Sequence, residues 1–230
     1  MVSFSAIVAA ALALVPSALA APSGLGAVDS PTPNSLATRQ NAPWQYWTEG
    51  QGQFNCQQQG GGKYSCSWNG QAGGGLVAGS GWSAGRKTVK YEGTYNPKGP
   101  GYLSLYGWTR NALVEYYIIE SWDVLAPGEP WTLRGNFTSE GNKYAFYTAQ
   151  RVQKPSIEGT RTFIQYFSVR DPSEKKVGAV SGTINTGDHF DAWAKFGYRL
   201  GTFEQNMFLV TEAFANGTNL PSGTSTITVS

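Results

Sequence analysis

The chain has 230 residues, with 17 Lys and Arg against 15 Asp and Glu, so its formal charge is +2 and only 14% of it is charged. So balanced a composition provides no basic stripe of the kind that nucleic acid needs. The 8 Trp and 12 Tyr all lie beyond residue 40, among many of the 29 Gly, and an aromatic-rich, charge-poor domain suits a neutral polymer such as a polysaccharide, on whose sugar rings aromatic faces stack.

Residues 1–20 carry an apolar run, 6–15, followed by Ala18-Leu19-Ala20. The run is too short to span a bilayer and fits a secretory signal with small residues at its cleavage site. Residues 21–39 are rich in Ala, Pro, Ser and Gly, contain no aromatic residue and end at Arg39, which predicts a propeptide, the alternative being an uncut flexible tail. Residues 40–230 are the size of one domain. A secreted monomer is expected, with no membrane anchor and no cofactor.

Cys56 and Cys66 are the only cysteines. An even count in a secreted chain favours a disulfide, here closing a hairpin whose turn is Gln57-Gln58-Gln59-Gly60-Gly61-Gly62; two free buried thiols are the alternative. Strand patterns follow at 87–95, 102–108, 112–121, 143–153, 160–170, 177–186, 207–214 and 225–229, punctuated by Gly, Pro and Asn. That is the pattern of an all-β sandwich or jelly roll. One segment departs from it: Asp188 is a candidate N-cap, and Phe190, Trp193 and Ala194 follow at helical spacing, which predicts a single helix ending near Gly197 or Gly201. His189, the only histidine, has no second histidine or acidic cluster around it, so a structural role is expected rather than a metal site.

Two strands carry the chemistry. In Leu113-Val114-Glu115-Tyr116-Tyr117 and Leu209-Val210-Thr211-Glu212-Ala213-Phe214, the alternation of a strand puts Glu115 on a face with Leu113, Tyr117 and Ile119, and Glu212 on a face with Phe208, Val210 and Phe214. A carboxylate set among apolar and aromatic groups loses hydration, so it gains partners or a raised pKa, and a pair treated unequally supplies an acid and a base. Glu120 falls on the opposite face, beside Tyr116 and Ile118, and is expected to be structural. Glu49, Glu92, Glu129 and Glu140 sit in polar or turn-like surroundings and read as solvated surface. No Ser-His-Asp set or phosphate loop competes.

The run Tyr106-Gly107-Trp108-Thr109-Arg110-Asn111-Ala112-Leu113-Val114-Glu115-Tyr116-Tyr117 resembles the nucleophile signature of glycoside hydrolase family 11, the endo-β-1,4-xylanases. Arg151-Val152-Gln153-Lys154-Pro155-Ser156-Ile157-Glu158-Gly159-Thr160 resembles that family's thumb hairpin, His189-Phe190-Asp191-Ala192-Trp193 its helix, and Ile227-Thr228-Val229-Ser230 its last strand. The resemblance implies a β-jelly-roll sandwich of two curved antiparallel sheets, with a cleft for xylan or related hemicellulose. It implies Glu115 as nucleophile and Glu212 as general acid/base of a retaining mechanism, about 5 to 5.5 Å apart. Tyr106 and Tyr117 match tyrosines around the nucleophile, Trp47 a sugar-stacking tryptophan, and Arg151, Pro155 and Gln165 residues that contact the sugar near the cleavage point. A catalytically impaired or host-sensed polysaccharide-binding sandwich and a jelly-roll β-glucanase are the alternatives.

Several residues depart from the family pattern. Gly75 stands where the family has an Asn or Asp bonded to the acid/base, so Glu212 must be tuned by burial, water or a residue from elsewhere. An added residue near 203–207 requires a bulge, or else a register slip that would turn Glu212 away. At the thumb tip Glu158 and Arg161 are expected to pair with each other, and Arg161 suits acidic, glucuronate-bearing xylan. Asn136 and Asn216 begin glycosylation sequons.

Overall fold

The computed structural model describes residues 42–125, 130–203 and 205–230; the predicted signal and propeptide, Glu129 and Glu204 lie outside them. In chain order the elements are β1 (Trp44–Glu49), β2 (Gly52–Gly60), β3 (Lys63–Gly70), β4 (Gly75–Ser83), β5 (Thr88–Lys98), β6 (Gly101–Thr109), β7 (Val114–Trp122), β8 (Thr132–Ser139), β9 (Asn142–Ser156), β10 (Gly159–Arg170), β11 (Gly178–Asn185), α1 (Thr186–Lys195), β12 (Asn206–Phe214) and β13 (Ser222–Val229). They form a jelly roll of two sheets, ordered β1-β4-β12-β6-β7-β10-β9-β8 and β11-β5-β13-β3-β2. Neighbours run antiparallel except β7 and β10, which are parallel in the register Gln165 opposite Glu115.

Alternation explains most of these strands. Along β3, Tyr64, Cys66 and Trp68 turn inward while Lys63 and Ser67 face solvent, the period of two that a half-buried sheet demands. These side chains meet Tyr95, Leu105, Tyr116, Ile118, Phe146, Leu209 and Ile227 in a core between the sheets. Each such burial stabilises the fold by about 1.5–3 kcal/mol. The disulfide forms as expected, with Cys56 directly opposite Cys66 on β2 and β3; closing a loop of this length contributes about 2.5–3 kcal/mol by the chain-entropy estimate.

Three strands escape the sequence pattern. β4 is rich in glycine because it lies against β12: a Cβ at Gly79 or Gly81 would stand 2.0 or 1.9 Å from a backbone oxygen of its neighbour. β8 is a mostly exposed, polar edge strand and β1 the opposite edge. The helix begins one turn earlier than its sequence suggests. Asn185, the last residue of β11, caps it by accepting from Gly187 N at 3.1 Å, so Asp188 falls inside the first turn and accepts instead from Ser139 Oγ. Trp193 and Phe190 enter the core as expected. His189 is fully buried against Ser168 Oγ at 2.9 Å. Burial, and then the charge of Arg170, push its pKa down to about 3, so it stays neutral.

β12 pairs with β4 from Asn206 opposite Ser83 to Phe214 opposite Gly75, and with β6 from Phe208 to Ala213, without a shift. The added residue therefore introduces no bulge into this strand, and Glu212 keeps the face of Phe208, Val210 and Phe214.

Candidate active site

A second apolar cluster covers the face of the larger sheet that is turned away from the core. It contains Tyr102, Tyr117, Ile119, Trp122, Phe167 and Val169, with Tyr106, Trp131, Tyr147 and Phe214 packed against it. The rings form a continuous floor: Phe214 meets Tyr102 at 5.6 Å, Tyr102 meets Tyr117 at 5.8 Å, Tyr117 stacks on Phe167 at 5.0 Å, and Phe167 stacks on Trp131 at 4.3 Å. β7 is thus buried along its whole length on both faces. Its odd-numbered residues from Glu115 to Ile119 belong to this floor, and Tyr116, Ile118 and Glu120 to the core.

Both glutamates stand on this floor. Glu115 is 8% exposed and accepts from Tyr117 Oη at 3.0 Å and from Gln165 Nε2 at 2.7 Å. Each partner is fixed by strand geometry: Tyr117 is two residues on along the same face, and Gln165 is the register partner across the parallel pair. Tyr106 lies beside Tyr117, ring centroid to ring centroid at 5.1 Å, and accepts from Trp108 Nε1 at 2.5 Å. Burial raises the Glu115 pKa, and the Gln165 and Tyr117 hydrogen bonds, the Arg151 charge and Tyr106 oppose the rise. Tyr106 and Tyr117 are themselves pushed well above the usual tyrosine range, first by burial and then by the charge of Glu115, so they remain donors.

Glu212 has less support. Tyr102 is its register partner on β6, and its Oε2 is buried with no hydrogen-bond partner among the described residues. Burial and then the Glu115 charge push its pKa well above the ordinary carboxylate range, against the smaller effects of Arg151 and Tyr102. Two carboxylates that feel each other's charge cannot both ionise cheaply. Of the two, Glu115 has the hydrogen bonds that oppose the rise, and Glu212 is the one pushed farther up.

The remaining predicted residues fall around the pair. Trp47 is 45% exposed on the edge strand β1, in one row with Val77 and Glu212; two strand spacings put it about 10 Å from Glu212 along the floor. Arg151, opposite Phe163 on β9 and β10, acts on both carboxylates. Pro155 lies farther out on β9, exposed and opposite Thr160.

Tyr102 was missed in the sequence, although its spacing of four from Tyr106 on a strand places the two on one face. At Gly75 the place a Cβ would take is 3.3 Å from Glu49 Cγ and 3.4 Å from its Oε1, so the exposed Glu49, expected only as solvated surface, leans over the glycine. Glu158 does not pair with Arg161. It accepts from Arg110 Nη1 at 3.1 Å, because the β6–β7 turn comes closer to the tip than Arg161, whose guanidinium bonds the Thr160 carbonyl.

Two glutamates on one aromatic floor, Glu115 held by two donors and Glu212 with Oε2 lacking a partner among the described residues, form the kind of arrangement that glycoside hydrolysis uses on a jelly roll. The chain belongs to the family described as Glycosyl hydrolases family 11, which it matches over residues 39–225. It is 41% identical to endo-1,4-beta-xylanase A of Schizophyllum commune, over 87% of this chain and all of that one. It is 42% identical to the probable endo-1,4-beta-xylanase B of Aspergillus clavatus over the full length of both. It is 43% identical to ethylene-inducing xylanase 1 of Botryotinia fuckeliana, over 87% of this chain and 67% of that one. A solved chain from a structural comparison of two major endo-1,4-beta-xylanases from Trichoderma reesei superimposes with a TM-score of 0.70 at 33% identity, over 83% of this chain and 98% of that one.

Proposed function

We propose that this protein is a secreted endo-β-1,4-xylanase that cuts internal xylan bonds with retention, Glu115 acting as nucleophile and Glu212 as general acid/base. The observation that carries this is the inequality of the two carboxylates: donors and Arg151 favour charge on Glu115, and burial beside that charge keeps Glu212 protonated. In the first step Glu115 attacks the anomeric carbon while Glu212 gives its proton to the leaving oxygen, producing a glycosyl ester on Glu115. That ester removes the negative charge which raised Glu212, so the now ionised Glu212 becomes more stable and takes a proton from water as the water attacks the same carbon. Gln165, Tyr117 and Tyr106 hold the nucleophile, Trp47 offers a face to a sugar, and Arg151 and Pro155 contact the chain near the scissile bond. Family membership and the names of the relatives support the substrate.

The test is release of reducing sugar from xylan and from a soluble β-glucan across pH, with Glu115→Gln alongside. Expected is a bell-shaped profile on xylan alone, lowered on the order of 10⁴-fold by the substitution, with product first appearing as the β-anomer. Turnover that survives Glu115→Gln, or faster cleavage of the glucan, would refute the assignment. Secretion is checked by N-terminal sequencing of protein from the culture medium, expected to begin near Gln40. The Botryotinia relative's name supports a second role, as a protein that plants sense. An ethylene response of leaf tissue to inactive Glu115→Gln protein would establish that role as separate from catalysis; a response only to active enzyme would dismiss it.

A further inference from the structure

The β9–β10 hairpin outgrows the sheet that supports it. β10 pairs with β7 only from Ile164 onward, and β9 pairs with β8 only up to Thr148. Residues 151–163 therefore form a two-stranded ribbon with no strand on either side, a structure that is marginal in water on its own. Within the ribbon Gln153 has φ 50, and the ladder shifts register between Arg161 and Phe163, the kind of irregularity that bends a strand. Something beyond the ladder has to hold the far end in place.

The root of the ribbon meets β6 through Trp108 and Phe163, whose rings lie 5.0 Å apart, and its tip is fastened to the β6–β7 turn through Arg110. Arg110 Nη1 donates to Glu158 Oε1 at 3.1 Å, and Nη2 donates to the Ile157 carbonyl at 3.3 Å. Both side chains are about 30% exposed (29% and 30%), which screens the pair less than a fully solvated one. Each end is already ordered. Glu158 N donates to Ser156 Oγ, which donates to the Gly159 carbonyl. Arg110 exchanges two backbone hydrogen bonds with Thr202, at 3.0 and 2.7 Å, and Asn111 beside it has φ 58 and donates to Thr202 Oγ1. A forked guanidinium on a fixed platform loses little further freedom when it grips an acidic residue and a neighbouring carbonyl together.

The ribbon's roots reach the active site, Gln165 by its bond to Glu115 and Arg151 by its charge on both glutamates. We propose that Arg110 is a positioning residue that latches the ribbon through Glu158, so that the latch, rather than the ladder, sets how firmly a bound polysaccharide is enclosed. A residue 48 positions from its partner in sequence thereby governs the placement of the hairpin. The kinetic arm of this inference rests on the xylanase assignment, whereas its structural arm does not.

Two measurements on the full chain test it. Amide hydrogen exchange across 152–162 is expected to quicken at least tenfold in Glu158→Ala and in Glu158→Gln, with the amides of β7 unchanged. Exchange equal to wild type in both variants overturns the latch, whatever the activity. On xylan, Glu158→Ala and Arg110→Ala are each expected to raise KM three- to tenfold while kcat falls less than twofold, and the double variant to be no worse than the worse single one. Effects that multiply in the double variant would mean that the two residues do not act through each other and would overturn the proposal. In 1 M NaCl, where the Debye length shrinks to about 3 Å, the KM of wild type is expected to move toward that of Glu158→Gln. A wild type that cuts no xylan, with tenfold faster exchange in the variants, would sink the xylanase assignment and leave the latch standing.

Discussion

β7 carries two buried carboxylates five residues apart, and its two faces treat them differently. On the core face Glu120 accepts from Tyr91 Oη at 2.8 Å and Tyr144 Oη at 2.7 Å and pairs with Arg170 Nη2; its charge is met on the spot by an opposite charge, and the group is locked. On the outer face Glu115 accepts from two neutral donors, Tyr117 and Gln165, and feels the charge of Arg151, while Glu212 has one oxygen without a hydrogen-bond partner among the described residues. The same residue type on the same strand is tied to an opposite charge on one face and, on the other, is the group proposed above as the nucleophile. What separates them is the complement of partners rather than depth, since both are nearly inaccessible.

Breaking the locked side is expected to have the largest effect on stability. Glu120→Gln leaves the Arg170 charge buried without its counter-ion, a loss of about 3–5 kcal/mol, read as a melting temperature lower by roughly 10 °C at this size. A melting temperature within a degree of wild type would show that the pair adds nothing beyond its shape. On the outer face the sign reverses. The folded-state pKa of Glu212 is raised, so as pH climbs past the ordinary carboxylate range the unfolded chain releases this proton first and stability falls. Glu212→Gln removes that penalty and is expected to raise the melting temperature at pH 8 by about 2–4 °C, on the order of 1 kcal/mol, with no gain near pH 4. A gain that is equal at both pH values would point to packing instead of charge.

Arg151 sharpens the comparison further, because it is the cation that partly relieves both outer carboxylates. Replacing it with Met raises the pKa of each, so both limbs of the pH–rate profile are expected to move to higher pH. Movement of one limb alone would restrict its action to one glutamate. The smallest effect is expected at the exposed Arg161: Arg161→Ala should lower the rate on glucuronate-bearing xylan relative to neutral xylan by about two- to fivefold, the range of a solvated ion pair. An unchanged ratio removes Arg161 from any role in choosing substrate.

Strands such as β3 and β13 were legible because their burial alternates, β7 as an apolar, aromatic run buried on both faces, and the faces of Glu115, Glu120 and Glu212 follow from strand geometry once those segments are strands. β4 was hidden by the glycines that let it approach β12, and β8 by a polar edge position that selects no hydrophobic alternation. The helix cap was misplaced because Asp188 and Asn185 are both good caps, and only the exit of β11 decides between them. Contacts such as Arg110 with Glu158 have no local signal. They join segments 48 residues apart, and a run of sequence shows which residues share a strand face but not which turns come to lie together.

The parallel step in an otherwise antiparallel sheet has a consequence in time. Gln165 meets Glu115 across β7 and β10, strands that a hairpin turn cannot join and that need a long crossover, here one containing β8 and β9. Pairing over such a span forms slowly relative to local hairpins. In refolding, therefore, the native fluorescence of the β2–β3 hairpin region should return before turnover of xylan does, since Glu115 gains the Gln165 donor only when this distant ladder closes.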